Sequence, residues 1–285
     1  MKRLLIAAVA VAALSAPGLA QAAPTVFHTN ATSSNWAGYI ASGAGQTFTD
    51  VEGTWTQPSV TCAARATTYS SFWVGLGGST RTANGLEQIG TEADCRNGTP
   101  SYSAWYELIP APSVDVPLTI SPGDSLTGEV TVAGTQVTLS LTDTTTGGTY
   151  SKTVTLAKPD LSSAEWIAEA PSYCAGAGTN SCRLQQLSNF GSLSFSGATA
   201  TANGVTGVIS DASWTNAPTD LHSTTGGASA TTGALGADGA SFTVTVVAAP
   251  ETTTPSPGPG SQPSPKSRPA PPRVAWRWRH PAHRR

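Results

Sequence analysis

The chain has 285 residues, a formal net charge of −2 and only 11% charged residues, a length that allows one large β domain or two smaller ones. The charge is unevenly distributed. Residues 24–250 contain 16 Asp and Glu against 6 Lys and Arg, whereas residues 251–285 contain 7 basic residues and one Glu. An acidic, lysine-poor body should stay soluble at neutral pH, and we expect it to bind no nucleic acid.

Residues 1–22 have the pattern of a secretory signal peptide. Lys2 and Arg3 precede the apolar run Leu4–Leu14, and residues 20–22 form an A-x-A cleavage site. The run is too short to span a bilayer, and no later segment approaches about 20 apolar residues. We therefore expect a secreted chain with no transmembrane segment, in which a short N-terminal segment at 23–32 precedes the folded domain.

Four cysteines are present, and an exported chain favours disulfides over metal ligation. We expect the pairs Cys62–Cys95 and Cys174–Cys182, although four cysteines allow three connectivities. No C-x-x-C pair occurs, and we expect neither a metal nor a cofactor.

Residues 33–249 have a strand-like pattern throughout. Val137, Leu139 and Leu141 alternate with polar residues, as in a strand with one buried and one wet face. Many short strands, frequent turn signals and no sustained helical pattern predict an all-β domain, a sandwich of two large antiparallel sheets of the jelly-roll or concanavalin-like kind. The predicted strands are 33–42, 47–56, 69–76, 86–92, 101–109, 126–132, 135–142, 149–156, 164–169, 192–198, 205–210 and 241–248.

Residues 250–285 differ in composition, because ten of the 21 prolines lie there, followed by an Arg- and Trp-rich end. This composition predicts an extended, disordered tail. Trp276, Trp278 and the arginines around them suggest contact with an anionic surface such as a cell wall or membrane. The alternative is an incidental extension without a defined role.

Several catalytic motifs are missing from the sequence. It has no H-E-x-x-H, no G-x-S-x-G elbow, no phosphate-binding or dinucleotide-binding loop, and no paired Asp-Thr/Ser-Gly segments. Between residues 23 and 249 the histidines are His28 and His222, and neither lies in a recognisable Ser/His/Asp arrangement. Hydrolysis by this chain must therefore rest on carboxylates, amides or aromatic binding surfaces.

One predicted strand carries two carboxylates, Glu165 and Glu169, beside Trp166, and ends at Pro171. Strand alternation puts Glu165, Ile167 and Glu169 on one face. By position alone this is either a solvated strand face, since Glu is usually exposed unless paired, or a catalytic carboxylate in a cleft.

Four further segments help to decide between these two interpretations. They are SNWAGY at 34–39, SFWVGLGG at 71–78, LEQIGTE at 86–92 and AWYE at 104–107. Together with residues 164–169, and in this order along the chain, they resemble the glutamic peptidase (eqolisin) family, and the chain looks like a bacterial-type secreted member. The resemblance runs from about Ser33 to Val247 and implies a sandwich of two seven-stranded antiparallel sheets.

The resemblance implies that Gln88 and Glu169 are the catalytic residues. A glutamate with a reference pKa of ~4.3 is partly ionised in mildly acid solution, so it can take a proton from water and later return it. Histidine would be fully protonated below about pH 5. The amide of Gln88 can donate to a developing oxyanion while its carbonyl holds the water.

The resemblance also places further residues in the substrate cleft, and it makes Glu165 structural. The chain has Gly77-Gly78 where fungal relatives carry an aspartate, so the acidic network around the dyad is expected to differ. For each tryptophan, core packing is the alternative role. The residues expected to bind substrate are Trp36, Trp73, Glu92, Trp105 and Glu107.

These features predict a monomeric, secreted, acid-acting endopeptidase that hydrolyses protein or peptide substrates. Two alternatives stay open at this point. One is a carbohydrate-binding, lectin-like sandwich that stacks sugars on exposed tryptophans. The other is a glycoside hydrolase with two carboxylates, such as Glu107 and Glu169, which would need to lie about 5–9 Å apart. Both alternatives predict indifference to substitution of Gln88.

Overall fold

A computed structural model describes residues 30–79, 83, 85–174 and 182–249, and these residues contain strands and no helix. The predicted signal peptide and tail lie outside the described residues. The strands are β1 (Ala31–Ser33), β2 (Trp36–Ser42), β3 (Phe48–Thr56), β4 (Ser71–Gly77), β5 (Leu86–Arg96), β6 (Thr99–Ile109), β7 (Val114–Val116), β8 (Ser125–Ala133), β9 (Gln136–Asp143), β10 (Gly148–Thr155), β11 (Ser163–Glu169), β12 (Ser172–Cys174), β13 (Cys182–Leu184), β14 (Ser192–Ala202), β15 (Val205–Val208), β16 (Thr215–Leu221), β17 (Ser229–Thr232) and β18 (Phe242–Val247).

Fourteen strands form one continuous hydrogen-bonded path in the order β10-β9-β8-β3-β14-β18-β17-β16-β2-β11-β4-β5-β6-β7. Neighbours on this path are antiparallel, whereas β1 joins β16 in parallel. β15 pairs with β14, and β12 and β13 form a separate ladder. The prediction of an all-β, largely antiparallel domain is confirmed. The division into two separate sheets stays a prediction, since the described ladders are continuous.

The path folds back on itself, so that β3 packs over β5 and β11. The indole Nε1 of Trp55 on β3 donates to Thr91 Oγ1 of β5 at 3.1 Å. Trp166 Nε1 of β11 donates to the carbonyl oxygen of Glu52 on β3 at 2.7 Å. Both indoles are buried in the core between these strands. Burying such large rings is strongly favourable, and each ring N–H has the partner it needs.

The core follows the predicted alternation along the outer strands. On β9 the three apolar residues Val137, Leu139 and Leu141 are all fully buried, with half-buried residues between them. Strand β4 differs, because every one of its residues is buried. Phe72, Val74 and Leu76 on one face of β4 pack in the main core, whereas Trp73 on the other face belongs to a second buried cluster.

Three differences from the predicted strands have local causes. The expected strand 33–42 is interrupted, because Ser33 Oγ accepts the backbone N–H groups of Asn35 and Trp36 in a tight turn. Strand β16 contains Pro218, and a proline argues against a strand in sequence reasoning. The strands β7, β12, β13 and β17 have only three or four residues each, too few for a period of two.

The structure contains the predicted disulfide between Cys62 and Cys95, whose Cα atoms lie 5.5 Å apart. It ties the loop after β3 to strand β5. Cys174 lies opposite Cys182 in the ladder of β12 and β13, but the Cys174 side chain is outside the described residues. None of the described segments is a helix long and apolar enough to cross a membrane.

Candidate active site

One face of the neighbouring strands β2, β11, β4, β5 and β6 borders a cavity of about 550 Å³. Both predicted catalytic residues, Gln88 and Glu169, line it. Glu92 and Glu107 line it as well, and no Lys, Arg or His of the described chain does so. The cavity is therefore an acidic cleft, and among the described residues that line it none is a cation that could pair with these carboxylates.

The strand register brings the two catalytic candidates to the same face. Glu169 on β11 lies opposite Ser71 on β4. Gln88 on β5 lies opposite Gly75 of the same strand β4, and opposite Glu107 on β6. Because Ser71 and Gly75 are four positions apart, they face the same side of the sheet. Gln88 and Glu169 are thus separated by one strand and by four positions along it.

The carboxylate of Glu169 is held by donors from two strands. Asn35 Nδ2 donates to Oε1 at 3.0 Å, and Trp73 Nε1 donates to Oε2 at 2.8 Å. Burial raises the pKa of Glu169 to about 7, against the lowering effect of Trp73, Asn35 and the nearby Trp36, and with a small further rise from Glu107. Desolvation of the charged form outweighs the donors here, so Glu169 takes up a proton near neutral pH.

Two glycines, Gly75 and Gly90, leave the space that the Trp73 side chain occupies. A Cβ at Gly90 would fall on the carbonyl oxygen of Phe72 and lie 2.6 Å from the Cβ of Trp73. A Cβ at Gly75 would lie 3.0 Å from the Trp73 ring. The ring therefore lies close against the backbone of β4 and β5, and from this position its Nε1 reaches Glu169.

Gln88 is held through its amide nitrogen only. The Nε2 atom donates to Glu107 Oε2 at 2.8 Å. The side chain is 3% exposed, and its Oε1 makes no hydrogen bond within the described residues. A buried carbonyl without a partner is costly, so this oxygen is suited to accept a hydrogen bond from a water molecule or substrate. The second amide hydrogen is free to donate.

The other two carboxyls of the cleft are also protonated more readily than usual. Burial, together with the charge of the nearby Asp94, raises the pKa of Glu92 to about 7. Ser103 Oγ donates to Glu92 at 2.9 Å, while Arg96 approaches the same carboxylate only to 3.9 Å. Burial raises the pKa of Glu107 too, against the hydrogen bond from Gln88.

Four of the five residues predicted to bind substrate line the cavity, namely Trp36, Glu92, Trp105 and Glu107. The exception is Trp73, which is 0% exposed and does not line the cavity. Trp73 packs edge-on against Trp36, with ring centroids 5.1 Å apart. Its position corrects the prediction of a substrate contact, because the ring is covered and its N–H is already used by Glu169.

Sequence reasoning did not assign a role to Asn35, although the residue lies within the SNWAGY segment beside Trp36. The signal for Asn35 in the sequence is its position directly before Trp36, which is predicted to bind substrate. Tyr173 was also not identified, and it lines the cavity with 62% of its surface exposed. Within the described chain no group of three or more His, Cys, Asp or Glu is placed to hold a metal ion.

Known proteins resemble this chain in both sequence and fold. A family model described as the Peptidase A4 family matches residues 34–246. Aspergillopepsin-2 from Aspergillus niger is 33% identical over 205 residues, which are 63% of this chain and 68% of that protein. The crystal structure of scytalido-glutamic peptidase with a peptide-based transition state analog matches with a TM-score of 0.63 at 26% identity, over 75% of this chain and 98% of that one.

The aspergilloglutamic peptidase structure from Aspergillus niger matches with a TM-score of 0.52 at 31% identity, over 63% of this chain and 99% of that one. The family model spans nearly the whole described region, from the turn before β2 to the end of β18. The chain therefore belongs to the Peptidase A4 family of glutamic peptidases, which are hydrolases that act on peptide bonds.

Proposed function

We propose that this chain is a secreted endopeptidase that acts in acid solution and uses Gln88 and Glu169 to add water to a peptide bond. The observation that carries the proposal is that the two side chains line the same cavity. Glu169 has a carboxyl that can exchange a proton near neutral pH. Gln88, on the wall of the same cavity, offers a carbonyl oxygen that makes no hydrogen bond within the described residues. An amide and an acid that share one water molecule would suffice for hydrolysis without imidazole.

The reaction proceeds in two proton transfers. Ionised Glu169 removes a proton from a water that also donates to Gln88 Oε1, and the resulting hydroxide attacks the peptide carbonyl carbon. The free amide hydrogen of Gln88 stabilises the negative oxygen of the tetrahedral intermediate. Protonated Glu169 then donates its proton to the leaving amine, the C–N bond breaks, and the carboxylate is regenerated.

The pH range follows from Glu169. A group that first takes and later returns a proton works best when its pKa lies near the working pH. Burial holds the pKa of Glu169 at about 7, so the ionised fraction falls roughly tenfold for each pH unit below that value. Within acid solution, we therefore expect the highest activity at mildly acid pH. The value of kcat/KM should rise as the pH approaches 7.

The walls of the cleft suit an extended peptide. Trp36 and Trp105 have buried indole N–H groups that make no hydrogen bond of good geometry within the described residues, and peptide carbonyl oxygens would satisfy them. Glu92 and Glu107, when protonated or ionised, can accept hydrogen bonds from peptide N–H groups. We propose that these four residues bind the substrate and that the enzyme works as a monomer.

The experiment that tests this function is digestion of casein by the purified protein from pH 2 to pH 7, with and without pepstatin. We expect digestion that pepstatin does not inhibit, because pepstatin targets paired aspartates. Gln88→Ala should lower kcat by about 10² to 10³, the range typical for losing one oxyanion donor, with an unchanged melting temperature. A protein that is inert over the whole range, or a fully active Gln88→Ala, would contradict the proposal.

A further inference from the structure

A chain of hydrogen bonds leads away from Glu169 on the side opposite Trp73. Asn35 Nδ2 donates to Glu169 Oε1 at 3.0 Å. Ser33 Oγ donates to Asn35 Oδ1 at 3.2 Å. The same Ser33 Oγ accepts the backbone N–H of Asn35 at 3.3 Å and that of Trp36 at 3.1 Å. Sequence reasoning assigned no role to Ser33 or Asn35.

The direction of these hydrogen bonds is fixed by the two backbone donors. A serine hydroxyl has two acceptor lone pairs and one hydrogen. The N–H groups of Asn35 and Trp36 can only donate, and together they use both lone pairs. The Ser33 hydrogen is therefore left to be donated, and the acceptor that the structure gives it is Asn35 Oδ1 at 3.2 Å. The NH₂ group of Asn35 is consequently the part that faces Glu169.

We propose that Ser33 is a positioning residue that sets the orientation of the Asn35 amide, so that Glu169 meets a donor and not a carbonyl oxygen. The proposal deepens the function given above and rests on it for the catalytic role of Glu169. With Asn35 on Oε1 and Trp73 on Oε2, both carboxylate oxygens are held. Each oxygen keeps one lone pair for water or the transferred proton.

The backbone anchors this arrangement at two points. His222 N donates to the carbonyl oxygen of Ser33 at 2.9 Å, which continues the pairing of β1 with β16. Ala170 N donates to the carbonyl oxygen of Asn35 at 2.9 Å. Ser33 is therefore fixed to β16 and Asn35 to the end of β11, and their side chains hold their relative positions without help from substrate.

Among the groups around Glu169, Asn35 is one whose effect on the pKa of this carboxyl depends on which way its amide is turned. Neutral indoles of Trp36 and Trp73 face Glu169 from β2 and β4. The charged groups that share the cavity are Glu107 and Glu92 on β6 and β5. Of these two acids, Glu107 disfavours ionisation of Glu169. Turning the Asn35 oxygen toward Glu169 would replace a stabilising donor by a further source of repulsion.

The test is a ¹³C NMR titration of the Glu169 carboxyl in the full-length protein labelled at glutamate Cδ, with the resonance identified by its loss in Glu169→Gln. In Ser33→Ala we expect the pKa of Glu169 to rise by about one unit, the effect of losing one hydrogen bond to a charged group. Ser33→Thr keeps the hydroxyl and should keep the wild-type pKa. Ser34→Ala, a change at the exposed neighbour, should also keep it.

Asn35→Ala removes the donor itself and should give the same rise, and Ser33→Cys, whose thiol is a weak donor, tests the role of Ser33 if Ser33→Ala does not fold. An unchanged Glu169 pKa in these alanine variants, or an equal rise in Ser33→Thr, would overturn the proposal. The acidic limb of kcat/KM should move by the same amount as the titration. The titration reports on the Glu169 carboxyl itself, so it tests the role of Ser33 independently of catalysis. An active Glu169→Gln variant would refute the proposed function and leave this test of Ser33 valid.

Discussion

Glu169 lies in a cleft that disfavours its charge, and individual donors decide how far its pKa is raised. Trp73 supplies the shorter of the two hydrogen bonds of the carboxylate, at 2.8 Å. Its indole N–H can donate and cannot accept, so it favours the ionised form alone. Trp73, which the sequence predicted to contact substrate, thus acts on the proposed catalytic acid from below the cleft floor.

Trp73→Phe removes this donor while keeping an aromatic ring. We expect the acidic limb of kcat/KM to move to higher pH by about one unit, because a hydrogen bond that stabilises the carboxylate is lost. The measurement is the pH profile of peptide cleavage. Trp55→Phe is a matched control, since Trp55 gives its N–H to Thr91 in the core. The acidic limb of kcat/KM should not move in Trp55→Phe. An equal shift in both variants would contradict the role of Trp73.

The sequence predicts candidates for the reacting groups but not the contacts that hold them. Gln88 and Glu169 can be proposed because each lies in a short segment that resembles a known family. The contacts of Glu169 cannot, because Asn35 and Trp73 are 134 and 96 positions away in the chain. The direction of the Ser33 hydrogen bond depends on how many donors meet one oxygen, which no local pattern reveals.

Strands β4 and β5 set the depth of the cleft floor through their close approach at Gly90. Gly90 lies opposite Trp73 in the register, and the missing side chain lets the Trp73 side chain lie against β5. A residue with a Cβ would have to displace backbone atoms, which cannot move as a side-chain end can. The pairing of these two strands therefore depends on one glycine.

Gly90→Ala should destabilise the domain by about 1–3 kcal/mol through overpacking. It should also lower kcat, because Trp73 must shift away from Glu169. The measurements are urea unfolding and peptide cleavage on the same sample. Gly227→Ala is the control, since a Cβ there would lie 3.5 Å or more from its neighbours. Equal stabilities for the two variants would show that the approach at Gly90 is looser than described.

The strands themselves were largely predictable, because period-two alternation records which face is buried. That signal fails where a strand is short or interrupted, as with β7 and β12. It also fails at β16, where Pro218 pairs with Tyr39 of β2. The sheet folds back so that β3 covers β11, and this depends on the long-range pairing of β16 with β2 and β17. Sequence periodicity does not reveal which strands pair over such distances.

Across the whole molecule, several carboxyls are buried with raised pKa values. Burial raises the pKa of Glu87 to about 7 and that of Asp50 to about 6. Burial raises the pKa of Glu165 well above its usual value. Glu165 is 0% exposed, and neither of its oxygens makes a hydrogen bond of good geometry within the described residues. The folded chain therefore holds protons that the unfolded chain releases.

This difference makes the fold most stable in acid. A carboxyl with a raised pKa binds its proton more tightly in the folded state, so the free energy of unfolding falls as pH rises from about 4.5 through about 7. For Glu87 alone, a shift from 4.5 to about 7 corresponds to about 3 kcal/mol. Urea unfolding at pH 4 and pH 8 should show lower stability at pH 8.

Glu87→Gln and Glu165→Gln mimic the protonated side chains. Each should leave stability at pH 4 nearly unchanged and reduce the loss between pH 4 and pH 8. A wild-type protein that is as stable at pH 8 as at pH 4 would contradict the assignment of buried, protonated carboxyls.

If Glu169 carries the proton in peptide cleavage, its replacement by glutamine should abolish turnover, and the decisive measurement is kcat of purified Glu169→Gln at pH 5. Glu165→Gln is the control, because that carboxyl lies on the same strand and face and burial raises its pKa well above the usual value. We predict that Glu169→Gln loses at least about 10²-fold in kcat, as expected when a general acid–base is removed, while Glu165→Gln keeps its activity. Peptide cleavage by Glu169→Gln at the wild-type rate would contradict the mechanism.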